Sequence, residues 1–560
     1  MRPKWKILAV GLLLVLAGST VSLAVMTAGG VEVRHVRIPF DRGEELDAYL
    51  YVPPGATPET PAPAVLAVHG YINSKETQSA FAIELARRGY VVLAPDQPGH
   101  GFSGGRALEA GFGGPAALEY LVGLPFVDRE NVGLEGHSMG GWAVLAAADS
   151  LPAAYRAVAL VGSATGPGFA PAGDSRFPRN LMVVFSRWDE FAQLMWGVRD
   201  AADVGRSEKL KAVFDTRETV EPGRMYGAPS VQAARWLAVP STTHPGAHLS
   251  REAVGYTVNW LGVMLEGEHE GPPPGRQIWF WKEAGTLVAL VGGLLVLLGS
   301  LDLLLSLPRF AALREEPVGA VETPDRRWWL TLLAATAVPA LTYFPLTSLG
   351  GLLPASPVLP QGITNQILVW ALGNGVLALP LFLKSRRGRE THVGAKLAAA
   401  AAAVGILYAT VLLVHWIFKS DLRFWVVALK PMAWRHVPSF LAYLVPFTAF
   451  FYVSQSALHA TLSLDWAGPE RQYATGVAAA AGGFTLMIAA LYAWLLAAGH
   501  LPAWADPLFT IVGIQFVAVL AATGVLAIFT WRRTNGALLG ALVCGLLVTW
   551  YVVAGQATHV

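Results

Sequence analysis

Cysteine is all but missing: Cys544 is the single one in 560 residues. That excludes an intrachain disulfide and any multi-cysteine metal site, and it leaves the redox compartment open. Charge is scarce too, at 14% of residues against 54% hydrophobic, well below the balance of soluble domains. The scarcity is uneven. Residues 31–270 have ordinary soluble composition, whereas the first 30 residues and residues 278–560 contain long, nearly uncharged runs. The net charge of +2 hides a division: residues 31–270 are acidic by about eight charges, and the chain beyond them is basic by about seven. An acidic soluble region without basic clusters argues against nucleic acid as a partner. Within the apolar runs polar groups are few, chiefly Asp302, Asn374, His415 and Gln515. Asp302 and His415 fall near run ends, which predicts interfacial placement, and without a chain of buried charges an ion pump has little support.

The sequence divides into residues 1–30, a soluble region 31–270, a linker 271–277 and an apolar region 278–560. Arg2, Lys4 and Lys6 precede Ile7–Val25, an apolar stretch of about 19 residues, long enough to cross a bilayer. This predicts a retained membrane anchor. A cleaved signal peptide competes with it, because Ala24–Gly30 offers small residues. In either case the basic flank stays in the cytoplasm and residues 31–270 lie outside it. Glu266–Arg276 is charged and Pro-rich, a rigid connector.

Val31–Phe40 and Glu45–Val52 alternate apolar and polar residues, the pattern of two antiparallel strands. Ala64–Val68, Val91–Pro95, Asn131–Glu135, Ala157–Val161, Leu181–Phe185 and Trp236–Val239 are short, continuously apolar strands. Helical stretches such as Glu76–Arg88 and Met139–Ala148 separate them. Such strands belong to a parallel sheet covered on both faces. Gly136-His137-Ser138-Met139-Gly140 joins one strand to its helix. A serine on so tight a turn needs small neighbours two positions either side, and its hydroxyl then stands at the positive end of the helix. An ordinary strand–helix turn is the bland alternative.

Five segments in order, VLAVHGY (65–71), LAPDQPGHGFSGG (93–105), GHSMGG (136–141), VVFSRWDEF (183–191) and VPSTTHPGAH (239–248), make residues 31–270 similar to the α/β-hydrolase family, in its monoacylglycerol-lipase and esterase-like branch. The resemblance covers under half of the chain and implies a mostly parallel sheet with helices on both faces. Residues 278–560 resemble no recognised family and are expected to form an all-α polytopic transmembrane domain of about eight helices.

A serine hydroxyl needs a base within reach, and the base needs a carboxylate to hold its tautomer. With Ser138 as nucleophile, the acid expected past the strand Leu181–Phe185 is Asp189. Glu190 is the weaker candidate, pointing away if Asp189 points in, and a helix-capping role competes for Asp189. Two histidines compete as base. His244 follows Val239-Pro240 and three small residues, as in relatives; His248, the alternative base, sits just before the next helix, and the one not used is expected to be solvated. The resemblance also implies an oxyanion hole from the backbone amides of Tyr71 and Met139. His69 supports that loop, Asp96 and His100 hold the Gly-rich loop, and His137 packs beside the turn. Phe191, Met195 and Trp196 are candidates for an acyl pocket or for plain core. The short insertion Gly162–Asn180 leaves little chain for a lid and predicts an open or minimally covered site. No cofactor and no metal is called for.

Beyond the linker, apolar stretches lie near 278–306, 328–350, 365–383, 396–418, 437–458, 474–498, 507–531 and 536–555. Counting from outside, the loops with Arg309, Arg314, Arg326 and Arg327, with Lys384, Arg386, Arg387 and Arg389, and with Arg532 and Arg533 fall in the cytoplasm. Lys419–Arg435 breaks the rule with four basic residues outside, which points to an interfacial segment or a miscounted span. The sequence therefore predicts a membrane-tethered serine hydrolase, esterase- or lipase-like in substrate, acting on a small-molecule or lipid ester beside membrane lipid. Peptidase, thioesterase and acyltransferase chemistry use the same residues. A transporter or assembly protein whose hydrolase-like domain only binds is the alternative. Nothing in the residues bears on oligomeric state.

Overall fold

A computed structural model describes residues 5–265, 271–319, 321–384, 390–464 and 468–560. Arg2 and Lys4, the linker residues 266–270, and Arg386, Arg387 and Arg389 lie outside the described residues. Strands β1 (Glu32–Pro39), β2 (Glu45–Val52), β3 (Ala62–Val68), β4 (Val91–Pro95), β5 (Val127–His137), β6 (Ala157–Val161), β7 (Leu181–Val184), β8 (Met225–Tyr226) and β9 (Arg235–Ala238) form one sheet in the order β1-β2-β4-β3-β5-β6-β7-β9-β8. The first two junctions and the last are antiparallel and the rest parallel. After a helix α1 (Lys6–Met26), helices α2 (Ser79–Ala86), α3 (Gly114–Val122), α4 (Met139–Ser150), α5 (Ala192–Trp196), α6 (Glu208–Val213) and α7 (Arg251–Met264) cover the sheet. Strand residues alternate between its two faces. Leu66, Val68 and Leu134 join the core under α3 and α4, while Val65 and Ala67 join the core under α2 and α7. Burial on both faces explains why these strands read as unbroken apolar runs.

The remaining helices are α8 (Trp279–Leu304), α9 (Arg326–Leu341), α10 (Tyr343–Gly350), α11 (Gly362–Lys384), α12 (Val393–Phe418), α13 (Val437–Thr461), α14 (Pro469–Val477), α15 (Gly483–Ala498), α16 (Pro507–Thr534) and α17 (Leu538–Gly555). Among the described residues eight helices, α1 included, are long and apolar enough to cross a membrane, and the pair α9–α10, bent by 43°, makes a further broken one. A π-helical turn, Ala478–Gly482, joins α14 to α15. Helix α1 packs along α8 so closely that a Cβ on Gly18 would overlap the Gly285 carbonyl.

The Lys419–Arg435 loop is not a further span. It forms a hairpin, β10 (Leu422–Phe424) with β11 (Val427–Leu429), that docks on the soluble domain. Arg423 reaches Asp421 at 2.6 Å, Glu76 at 3.7 Å and the Ser74 hydroxyl at 3.2 Å, and Arg435 donates to the Gly101 carbonyl at 3.3 Å. Two of the loop's four basic residues, Arg423 and Arg435, are thus held against the acidic soluble domain. His415 stands one turn from the end of α12. It is buried, its ring stacked at 5.0 Å on Phe102 of the soluble domain. Asp302 pairs with Arg533 at 2.8 Å.

Candidate active site

Ser138 sits between β5 and α4 with φ 54° and ψ −123°, a conformation that costs a non-glycine residue about 1–3 kcal/mol. The surroundings impose it. A Cβ on Gly136 would overlap the Gly140 carbonyl, and one on Gly140 would overlap the Val68 carbonyl, so both flanking positions must be glycine. The Ser138 amide donates to Val161 O at 2.9 Å, fixing the turn at the carboxyl ends of β5 and β6.

Beyond β7, both carboxylate oxygens of Asp189 lie 3.0 Å from His244 Nδ1. Nδ1–H donates there, which leaves Nε2 as the nitrogen free to act as a base. Asp189 Oδ1 also accepts the Phe191 amide at 2.9 Å, but it does not cap α5, whose capping position is Phe191 itself, without a side-chain hydrogen bond. A Cβ on Gly162 would come within 3.0 Å of His244 Nδ1 and 3.4 Å of Asp189 Oδ2, which sets the pair at the end of β6, next to Ser138. Among the described residues no hydrogen bond joins Ser138 Oγ to His244, a looseness common when no substrate is bound. Burial works to lower the His244 pKa, but the Asp189 carboxylate, its hydrogen bond and Glu190 outweigh it, and the net shift is upward.

His248 does not pair with an acid. Instead of being solvated it is buried, its ring 4.0 Å from that of His137, and among the described residues neither ring nitrogen has a hydrogen-bond partner. Burial, then the charge of His244, pushes its pKa down to about 3. His137 packs beside the turn as expected, with Nε2 3.0 Å from the His244 carbonyl.

Glu190 does not point away. Its Oε2 accepts the backbone N–H of His244 at 2.8 Å, and its Oε1 accepts the Tyr492 hydroxyl, on α15, at 2.6 Å. Burial first, and then the Asp189 charge, raise its pKa to about 7. Nothing local to Glu190 signals this role, because the partner lies 302 positions away.

The Tyr71 amide makes no hydrogen bond among the described residues, and that of Met139, at the first position of α4, has no intrahelical acceptor. A Cβ on Gly70 would stand 3.1 Å from Ser138 Cβ, so the Tyr71 loop runs directly against the serine. His69 Nε2 accepts the Gln97 amide at 3.0 Å, and His100 Nε2 accepts that of Ile72 at 3.2 Å, bracing that loop. Asp96 accepts the amides of Lys75 at 2.8 Å and Phe102 at 3.1 Å. Met195 and Trp196 belong to the core; Phe191 alone of the three reaches the site, its ring 4.7 Å from that of His244.

The site, expected to be open or minimally covered, is flanked by the helical half, while Ser138 itself stays partly exposed. Trp425 Nε1 donates to the Pro245 carbonyl at 2.7 Å, and Tyr492 meets Glu190. Tyr71 OH lies 2.8 Å from His559 Nε2, while Thr558 pairs with Gly99 and Ala107 through backbone bonds. Asp189 and His244 are accordingly only 2% and 4% exposed.

A mostly parallel sheet with a strained serine between strand and helix, and an acid–histidine pair on later strand ends, is the α/β-hydrolase fold. Residues 59–221 match the family model described as serine aminopeptidase, S33. Similar solved structures include DcsB in complex with its substrate analogue, 15% identical over 42% of this chain and 100% of that one, with a TM-score of 0.30. Another is a dienelactone hydrolase from Anabaena variabilis, at 16%, 42%, 99% and 0.28. An esterase from Pyrococcus furiosus matches at 16%, 42%, 92% and 0.29. No curated protein matches the chain.

Proposed function

We propose that this protein is a membrane-integrated serine hydrolase that cleaves carboxylic esters through an acyl-enzyme on Ser138. The observation that carries the reading is the His244–Asp189 pair at 3.0 Å beside a serine held at φ 54°. Ser138 Oγ attacks the ester carbonyl carbon as His244 Nε2 takes the hydroxyl proton. The Asp189 carboxylate stabilises the imidazolium that forms. The carbonyl oxygen, now anionic, is held by the Met139 and Tyr71 amides. His244 returns the proton to the departing alkoxide, and water repeats the sequence to release the acid.

Membrane integration is supported by helices that are apolar all round. Outward-facing Leu341, Leu383, Val445 and Leu486 are 70–76% exposed, which water would not favour on this scale. A retained α1 is supported by its glycine-to-glycine packing on α8, a face that cleavage would strip bare. The exposed Arg326 and Arg327, and the half-buried Arg533, stand at the helix ends away from the hydrolase domain, which supports an extracytoplasmic hydrolase domain.

The matched family's description favours a second reading, an aminopeptidase. Such an enzyme must hold a substrate ammonium, and the carboxylates beside His244, Asp189 and Glu190, are already engaged with that residue. Ester cleavage makes no such demand. The test is a fluorophosphonate probe on the full-length protein, followed by turnover of p-nitrophenyl esters against aminoacyl p-nitroanilides. Labelling at Ser138 with ester turnover supports the proposal. Labelling with turnover of the anilides alone selects the peptidase, and no labelling rejects both.

A further inference from the structure

Between α9, α11, α13 and α16 lies a cavity of about 370 Å³, far from Ser138. That size falls in the range of small-ligand sites. Its deep end is Trp370, whose indole Nε1 donates to the Pro339 carbonyl at 2.9 Å where the broken pair α9–α10 begins to bend. The π-helical turn supplies Ala479 and Ala480 to another wall. Irregular backbone at membrane depth is tolerated where it is buried or lines a cavity, and π turns gather at functional sites.

The walls are mostly hydrocarbon, with Thr331, Ser454, Gln455 and Thr461 interspersed. Asn374 donates to the Trp370 carbonyl at 2.9 Å and to Thr342 at 3.1 Å, and Thr523 donates to the Leu520 carbonyl at 2.8 Å, so their polar groups are used within the helices. A dry apolar space does not attract water. Along α11 the lining runs from Trp370 to Leu381, a rise of about 16 Å, half the ~30 Å thickness of a bilayer core. The rim is open sideways, where Ala334 on α9 faces Leu377 and Leu381 on α11, all three exposed. The shallow end reaches Thr331, one turn from Arg327. Arg326 and Arg327 are exposed and carry no ion pair among the described residues.

We infer that this cavity binds one acyl chain of an anionic phospholipid, from the leaflet facing away from the hydrolase domain, with the phosphate at Arg326 and Arg327. The inference rests on the membrane reading above but not on the ester chemistry. It is a lipid site separate from the active site, since the chain enters from the opposite leaflet.

The test uses full-length protein in phosphatidylcholine vesicles containing phosphatidylglycerol with a diazirine at mid-chain, and maps the labelled peptides. The expected result is label concentrated on α9, α11 and α13, reduced about tenfold by Ala378→Phe, which fills the space. Arg326→Ala with Arg327→Ala should abolish the preference for the phosphatidylglycerol probe over a phosphatidylcholine probe. Since Ala378→Phe could misfold, competition on the unaltered protein is the second arm: excess unlabelled phosphatidylglycerol should remove the label and excess phosphatidylcholine should not. Label spread evenly over outward faces and insensitive to competition overturns the site while leaving the membrane reading intact. Protein that fails to float with the vesicles overturns the membrane reading and the site together.

Discussion

At the residue scale the decisive contrast is between two histidines four positions apart. Only His244 has a carboxylate on Nδ1, whereas His248 faces His137 in a buried, unpaired setting. His244→Ala should therefore reduce ester turnover to the level of Ser138→Ala, while His248→Ala keeps most of it. Loss of a triad member costs about four to six orders of magnitude in kcat. Steady-state rates on a p-nitrophenyl ester decide this, and an active His244→Ala paired with a dead His248→Ala reverses the assignment. The base must be neutral to work, so kcat/KM should rise with pH through an inflection above 6.5, the ordinary histidine value. Asp189→Asn should move that inflection down. Glu190 titrates with the opposite consequence for stability. Its carboxyl is raised from 4.5 to about 7, so its contribution is complete below the lower value and is lost as pH rises through the upper one. Glu190→Gln should flatten the dependence of Tm on pH between those values, and an unchanged slope would remove Glu190 from the account.

At the scale of elements, α15 supports the loop that carries the base. Tyr492 holds Glu190 at 2.6 Å, and Glu190 holds the His244 amide at 2.8 Å. Tyr492→Phe keeps the ring and removes the hydroxyl. It should lower kcat by about tenfold, equivalent to roughly 1.4 kcal/mol on the barrier, with little change in KM. The pH profile should shift as well, because Glu190 loses a donor; a change in Tm alone would mean the contact only holds the halves together.

For the whole molecule, the two halves share buried charge. Lys75, 1% exposed, meets Asp47 at 2.7 Å and Asp96 at 2.8 Å in the soluble domain, and neighbouring Glu76 faces Arg423 of the hairpin. Arg423→Ala would strand Asp421 without its cation and leave Glu76 with Lys75 alone, at 3.6 Å, and breaking such a buried group typically costs about 3–5 kcal/mol. A large fall in Tm, measured on the full-length protein in detergent, is the expected outcome; a change within error would show the halves to be independent. The sequence presents residues 31–270 as self-sufficient, since sheet, triad and oxyanion candidates all lie there. The approach of Trp425, Tyr492 and His559 changes that expectation: an isolated hydrolase domain should turn over short esters more slowly than Tyr492→Phe does in the full chain.

Residues 31–270 were legible because their signals are local. Apolar strands such as Val91–Pro95 and Ala157–Val161 follow from burial on both faces, and the turn at Ser138 shows itself in the sequence as glycine at 136 and 140, the first kept clear of its own turn and the second of Val68 on β3. The apolar helices were legible for the same reason, since crossing length is a property of each run by itself. What the chain's order could not determine was every pairing between distant residues. His244 and His248 share a residue type and a loop, so only the approach of β7 to β9 brings Asp189 to one of them. Glu190 finds Tyr492, and Arg423 finds Glu76, because the acidic domain settles on the basic hairpin and the α15 terminus, and contacts across hundreds of residues leave no periodic trace in either segment.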